Sequence, residues 1–122
     1  MRVNEDAFLP GRNLLFLLAG CAYAYAMESS ALAIGLLSEA DHIFPDQTRQ
    51  FLERTEDLMS LAMSYPVKIV APLMGLTKRQ VVLLARQKGI DRTYSCHSGT
   101  SSPCGECVSC QERLRAEQSE EV

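Results

Sequence analysis

The sequence has no excess of positive charge and no long apolar run, and these absences exclude several classes of protein. Its 12 Lys and Arg residues against 15 Asp and Glu residues give a net charge of -3, whereas a general nucleic-acid binder carries a basic stripe. The apolar segment Leu14–Met27 is shorter than the roughly 20 residues that a membrane-spanning helix needs. Residues 1–10 include charged side chains in place of the apolar stretch of a signal peptide. We therefore expect a globular protein that binds neither membrane nor nucleic acid directly.

What the sequence does contain is an alternation of helical and extended patterns. The segment Leu14–Met27 is apolar on all sides, which predicts a buried helix. The short apolar run Ala31–Leu37 predicts a strand buried on both faces, and Val67–Ala71 predicts a second strand. Between them lies an amphipathic helix pattern, and Asp46 is placed where it can be the N-cap. The order helix, strand, helix, strand, helix predicts an α/β protein with a parallel sheet.

Further sequence signals mark where the C-terminal elements begin and end. Thr77 and Gln80 have the spacing of a capping box, which predicts a third helix, and Gly89 is placed to end it. A short helix is expected over residues 111–118. We expect residues 1–94 to form the α/β portion, residues 95–118 to form a zinc-binding segment with that short helix, and residues 119–122 to be a disordered tail. Because two strands make a poor sheet, the sequence predicts half of a larger domain.

Four cysteines near the C-terminus have the spacing of metal ligands. Cys96, Cys104, Cys107 and Cys110 follow the pattern Cys-x7-Cys-x2-Cys-x2-Cys. Four thiolates fill the tetrahedral shell of Zn²⁺ and leave no position for a reactive water, so the predicted zinc is structural. An iron–sulfur cluster could use the same four ligands. Metal-ligand spacing suits a reducing cytoplasm better than a secreted, disulfide-bonded fold.

Neighbouring residues leave other interpretations of this segment open. His97 could replace a cysteine as a ligand, although a solvated loop histidine is the favoured reading. A redox dithiol is disfavoured because the two Cys-x2-Cys steps overlap in one run. Cys21 lies within the apolar helix pattern and is expected to be a small core residue.

Several short motifs occur together in an order that resembles the 7-cyano-7-deazaguanine synthase family. They are Pro10–Asn13 before a Leu-rich helix, Phe44–Asp46, Ala71–Leu73 followed by Leu76–Lys78, and the cysteine segment Ser95–Cys110. That family belongs to the PP-loop ATP pyrophosphatases. The resemblance implies a partial doubly wound parallel sheet, similar to that of adenine-nucleotide α-hydrolases, with a C-terminal zinc-binding loop.

The resemblance also implies a chemistry and a set of ligand-binding residues. Members are ATP-dependent ligases that convert a deazaguanine carboxylate to its nitrile with ammonia, on the route to queuosine in tRNA, and Mg²⁺ accompanies the ATP. The matching motifs imply contacts to substrate or nucleotide for Arg12, Asn13, Asp46 and Lys78. Read without the family, Asn13 and Asp46 fit helix caps equally well, and Lys78 fits a solvated lysine.

Two departures from the family pattern shape the functional hypotheses. The family's Ser-Gly-Gly-x-Asp-Ser loop, which holds the pyrophosphate, does not occur in the 122 residues. Gln47 and Thr48 stand where many members have Cys-Arg, so the substrate carboxylate would be held differently. We expect a chain that is inactive alone and associates with a second copy or with a chain carrying the PP-loop half. The alternatives are a non-catalytic zinc-stabilised binding module and an unrelated zinc-ribbon interaction protein.

Overall fold

The structure, a computed structural model, describes residues 8–41 and 44–118. These residues form two compact units, one of residues 10–75 and one that contains residues 8–9 and 76–118. The domain limits expected at residues 94 and 118 stay predictions, and the expected tail at 119–122 lies outside the described residues. Within the described part of the chain, no helix is both long enough and apolar enough to cross a bilayer.

The unit of residues 10–75 contains two helices and a parallel pair of strands. Its elements in chain order are helix α1 (Arg12–Ala26), strand β1 (Ala31–Ala33), 3-10 turns at Glu39–Asp41 and Pro45–Gln47, helix α2 (Arg49–Met63) and strand β2 (Lys68–Val70). Leu32 is the register partner of Ile69 across the pair. The expected parallel pairing is therefore confirmed, while the sheet has two strands among the described residues.

Within the described part of this unit, the two helices cover one face of this small sheet. The side chains of Leu32 and Ile69 pack into a core with Leu17 and Cys21 of α1 and Leu52 of α2. The exposed strand positions are Ala31, Ala33, Lys68 and Val70. The prediction of a strand over Ala31–Leu37 buried on both faces was wrong, because pairing ends at Ala33 and both helices lie on the same face. A doubly wound arrangement needs helices on both faces of the sheet. The doubly wound character of the fold therefore stays a prediction.

Helix α1 buries a single stripe. Its buried residues are Asn13, Leu17, Cys21 and Ala24, at the spacing of one helix face. Gly20 lets this face approach β1 closely, since a Cβ at that position would lie 2.8 Å from Leu32 Cδ1. The prediction of a helix buried all round was wrong, because this unit packs against one side only. The large apolar residues left exposed on α1 are Leu14, Leu15, Phe16, Leu18, Tyr23 and Tyr25.

The N-cap of α2 is Thr48, and the assignment of Asp46 to that position was wrong. Thr48 Oγ1 accepts a hydrogen bond from the backbone N–H of Phe51 at 3.1 Å, which satisfies one of the free amides of the first turn. Asp46 instead lies in the preceding 3-10 turn, which begins at Pro45. Its carboxylate accepts a hydrogen bond from Asn13, 33 residues away.

The second unit contains helices α3 (Lys78–Gln87) and α4 (Val108–Gln118). The predicted capping box is confirmed, since Thr77 and Gln80 each bond the other's backbone N–H with a side-chain oxygen, at 3.2 and 2.9 Å. Gly89 follows the helix in the left-handed region with φ 72, as expected for its end. Helix α4 begins at Val108, three positions before the expected Gln111, because the turns of the cysteine segment lead directly into it.

Candidate metal centre

The four predicted ligands come together in the second unit. Cys96 and Cys104 lie in the loop before α4, Cys107 directly precedes this helix, and Cys110 is in its first turn. Their four Sγ atoms all lie within 4.8 Å of one another. A tetrahedral zinc ion with Zn–S bonds of about 2.3 Å holds its sulfurs about 3.8 Å apart. The cluster could therefore hold a metal such as zinc.

Backbone amides donate hydrogen bonds to the sulfurs of this cluster. The N–H of Cys104 donates to Cys96 Sγ at 3.4 Å. The N–H groups of Glu106 and Cys107 donate to Cys104 Sγ at 3.4 and 3.3 Å. The N–H of Cys110 donates to Cys107 Sγ at 3.4 Å. Amide donors of this kind stabilise negative charge on sulfur, so the loop is shaped for thiolates.

The thiols of the cluster differ in how readily they ionise. The hydroxyl of Ser98, with its Oγ 3.3 Å from Cys96 Sγ, and the N–H of Cys104 lower the pKa of Cys96 to about 5. The pKa of Cys104 is also lowered, and the Ser98 hydroxyl is the largest cause. The backbone hydrogen bond of Gly105 lowers the pKa of Cys110, but burial and the neighbouring thiols outweigh it and raise this pKa to about 12. In the metal-free cluster these shifts favour the thiolate at Cys96 and the thiol at Cys110.

The other candidate ligands lie outside the cluster. Among the described residues, the group that could hold a metal contains cysteines alone. His97 is half-buried, and its Nδ1 is buried with no hydrogen-bond partner in that part of the chain. His97 therefore lies in the loop and outside the group that could hold a metal, as the favoured reading expected, although its side chain is half-buried. Cys21 is fully buried in the core of the first unit, as expected.

Two residues of α4 that sequence reasoning missed hold the cysteine segment to this helix. Arg113 Nη1 donates to the carbonyl oxygen and to Oγ1 of Thr93 at 2.8 and 3.1 Å, and its Nε pairs with Glu117 at 3.0 Å. The side-chain amide of Gln111 donates to the carbonyl oxygen of Gly105. They were missed because their partners, Gly105 and Thr93, lie outside the helix, and the helical pattern alone does not specify such contacts. The spacing of four residues between Arg113 and Glu117 was a signal for their ion pair within the expected helix.

Two of the residues that the resemblance marked for substrate binding contact each other in the first unit. Asn13 N–H donates to Asp46 Oδ2 at 3.2 Å, and Asn13 Nδ2 donates to the carbonyl oxygen of Asp46 at 2.9 Å. Asn13 is 6% exposed, and Asp46 Oδ1 is buried without a hydrogen-bond partner among the described residues. These bonds join the start of α1 to the turn before α2. Both residues thus have a structural role, and their ligand-binding roles stay predictions.

The other two marked residues are placed separately. Arg12 is the half-buried first residue of α1, next to this pair. Lys78 belongs to the other unit, where it lines a surface groove of about 360 Å³ together with Arg86 and Arg113. Their binding roles also stay predictions.

An Asn13→Ala variant should destabilise the first unit. The substitution removes the 2.9 Å bond to the Asp46 carbonyl and leaves a part-buried acceptor unpaired, which we expect to lower the free energy of unfolding by about 1–3 kcal/mol. Urea denaturation followed by circular dichroism measures the change. The matched control is Gln50→Ala, an exposed position on α2, expected to stay within about 0.5 kcal/mol of the unsubstituted chain. Equal losses in both variants would contradict the assigned role.

Comparison with known proteins identifies the family to which this chain is related. The family model of the queuosine biosynthesis protein QueC matches residues 2–120. A 7-cyano-7-deazaguanine synthase of Methanothermobacter thermautotrophicus is 38% identical over 118 residues, which cover 95% of this chain and 53% of the relative. Proteins of the same name from Prochlorococcus marinus and Aquifex aeolicus are 31% and 34% identical, over 91% and 88% of this chain and 53% of each relative. The chain thus spans about half the length of these relatives, and it matches their C-terminal part.

Proposed function

Because the chain belongs to the QueC family of queuosine biosynthesis proteins, we propose that it forms the C-terminal portion of a 7-cyano-7-deazaguanine synthase. The observation that carries the proposal is the gathering of four sulfur atoms within 4.8 Å in a chain that matches the C-terminal part of such enzymes. The complete enzyme converts a deazaguanine carboxylate to the nitrile with ATP and ammonia in the cytoplasm, and the product enters queuosine synthesis.

In this proposal the cysteine cluster binds one zinc ion with a structural role. The thiolates of Cys96, Cys104, Cys107 and Cys110 complete a tetrahedral shell, which leaves no position for a reactive water. The charge of the ion offsets the repulsion between the thiolates. The backbone amides that donate to the sulfurs support the same charge from outside the shell. Zinc then holds the loop to α4, and catalysis takes place elsewhere in the enzyme.

The proposal divides the remaining work between this chain and the rest of the enzyme. Asn13 and Asp46 fix the start of α1, so that Arg12 beside them can bind a carboxylate or phosphate of a ligand with its permanently charged guanidinium. In the same proposal, Lys78 binds a second anionic group of a ligand. ATP and Mg²⁺ are assigned chiefly to the PP-loop in the rest of the enzyme. The reason is that the Ser-Gly-Gly-x-Asp-Ser sequence of that loop does not occur in the 122 residues of this chain.

A chimeric enzyme tests the proposed function. It joins the N-terminal part of the Methanothermobacter relative, up to the start of its matched 118 residues, to this chain. With ATP, Mg²⁺ and ammonia, the chimera should convert 7-carboxy-7-deazaguanine to the nitrile, which mass spectrometry of the product detects. The two halves assayed singly are the controls and should be inactive. A folded, zinc-loaded chimera without synthase activity would refute the assignment.

Zinc binding by this chain should release protons and weaken as the pH falls. The raised pKa of Cys110, about 12, means that this thiol is protonated at pH 7 in the metal-free chain, and it must lose its proton to bind zinc. We therefore expect release of at least about one proton per zinc. Calorimetric titrations in buffers of different ionisation enthalpy measure the number. Zinc binding with no proton release, or with an affinity that rises on acidification, would contradict the prediction.

A further inference from the structure

A groove of about 360 Å³ lies between α3 and α4 in the second unit. Pockets that hold small organic ligands have volumes of about 300–1,000 Å³, so the groove is large enough for one such molecule. Its lining residues come from α3, from the loop that follows α3 and from α4, and all of them belong to one compact unit. The chemistry of these residues indicates which class of ligand the groove would take.

The α3 wall of the groove is mainly apolar. Val81, Val82 and Ala85 lie on one side of this helix, since residues three and four apart are neighbours on a helix surface. Their side chains are half-buried, and Ile90, just beyond the end of the helix, is 55% exposed. An apolar ligand body placed against these residues would remove their exposed surface from water, which favours binding.

The α4 wall carries a guanidinium group that is already held in place. Arg113 Nη1 donates to both oxygens of Thr93, and Arg113 Nε pairs with Glu117 at 3.0 Å. These bonds engage two of the three guanidinium nitrogens, and Nη2 makes no hydrogen bond to a described residue. The Arg113 side chain is 30% exposed. Glu117 offsets part of its charge, but the oriented Nη2 group remains to donate hydrogen bonds to an anion at little further cost in side-chain entropy.

Positive charge is also concentrated on the α3 side of the groove. Residues 76–94 contain five basic residues and one acidic residue, whereas the whole chain has a net charge of -3. Arg86 of α3 lines the groove and is exposed, and its guanidinium makes no hydrogen bond or ion pair with the described residues. Because salt screens charges beyond about 8 Å, this local excess outweighs the net charge of the chain for a ligand in the groove.

A phosphate ester with a flat apolar body suits both walls. A phosphate monoester carries a charge of about -1.5 to -2 at neutral pH and three terminal oxygens, so it can accept hydrogen bonds from Arg86 on α3 and from Arg113 on α4 together. A carboxylate has a single charge and two oxygens in one plane, which suits one guanidinium better than two. The flat body of the ester would then lie against the apolar side of α3.

We propose that the groove between α3 and α4 binds a phosphate ester with an aromatic body. Arg86 and Arg113 bind the phosphate, and Val82 and Ala85 contact the aromatic body. The proposal concerns the second unit alone. It depends neither on the synthase reaction nor on the role given to Lys78, so a failure of the proposed function would leave it standing.

Titration of the full chain with 1-naphthyl phosphate, followed by NMR, tests the proposal. Inorganic phosphate and 1-naphthol represent the two parts of this probe, and 1-naphthoate replaces the phosphate with a carboxylate. The probe should shift the amide signals of Ala85 and Thr93 and should bind at least about ten-fold more tightly than either part, because both walls contribute. Equal binding of inorganic phosphate would indicate a simple basic patch, and equal binding of 1-naphthol an unspecific apolar surface. Either result, tighter binding of 1-naphthoate, or no binding of the probe would overturn the proposal.

Two matched substitutions separate the groove from the general charge of this region. Arg86→Gln removes a charge that lines the groove and should weaken binding of 1-naphthyl phosphate at least about five-fold. Arg92→Gln makes the same chemical change at an exposed position that does not line the groove, and it should change the affinity by less than about two-fold. The dispersed amide signals of both variants show that the fold is kept. Equal losses of affinity in the two variants would overturn the proposal, since they would indicate attraction by charge alone.

Discussion

A Cys107→Ser chain should purify without zinc, whereas the unsubstituted chain should carry one zinc ion. Cys107 is 4% exposed, and its sulfur accepts the N–H of Cys110 in the first turn of α4. Loss of one thiolate leaves an incomplete shell and an open position. Because a structural zinc contributes on the order of 10 kcal/mol to local folding, residues 95–118 should lose their structure in this variant. Native mass spectrometry measures the metal content, and NMR measures the loss of dispersed signals from α4.

The remaining cysteine offers a matched control for this experiment. Cys21 lies in the core of the other unit, away from the cluster. A Cys21→Ala variant removes a thiol of the same kind and leaves a small cavity, yet it should keep one zinc per chain. Full zinc occupancy in Cys107→Ser, or bound iron with visible absorbance in the unsubstituted chain, would contradict the zinc assignment.

The isolated chain should release no pyrophosphate from ATP. Phosphate groups are bound by successive backbone amides at a helix N-terminus, usually in a flexible glycine-rich loop. The chain contains no Ser-Gly-Gly-x-Asp-Ser sequence, and each first-unit helix begins with a different arrangement. Gly11 precedes α1 as a single residue with φ 76, and the Thr48 side chain occupies the amide of Phe51 at α2. The transition state of phosphoanhydride cleavage therefore lacks the electrostatic stabilisation that such amides provide.

A coupled assay for AMP and pyrophosphate measures this activity. The full-length Methanothermobacter relative, assayed under the same conditions, is the positive control. Pyrophosphate release by this chain at a rate close to that of the relative would contradict the prediction. The chimera should gain the activity, and that gain would assign the phosphate chemistry to the N-terminal portion.

Together the two units suggest how a family member divides its stability between two sources. In the first unit an apolar stripe of α1 covers the sheet of two strands that the described residues form, and the Asn13–Asp46 bonds join the start of α1 to the turn before α2. In the second unit the packing of α3 and α4 is supplemented by four sulfur ligands and by Arg113.

Short-range features of this protein were determined by its sequence alone. The Cys-x2-Cys steps place sulfurs together because a turn of three or four residues has few conformations, and the structure confirms the cluster. The capping box at Thr77 and Gln80 is confirmed for the same reason, since both hydrogen bonds close within one helical turn. The two parallel strands were also expected from apolar runs separated by a helix.

Only the tertiary structure decided the features that join distant segments. Asp46 and Thr48 are both good N-cap residues, and the choice between them depended on Asn13, 33 residues earlier, which engages Asp46. The N–H of Ile69 in β2 donates to Glu56 Oε2 of α2 at 2.8 Å, a contact between two elements that no local pattern specifies. The apolar sequence of α1 predicted burial, but burial needs neighbours. The described residues cover one stripe of this helix, and the large apolar side chains on its other sides, such as Phe16 and Tyr23, stay exposed among them.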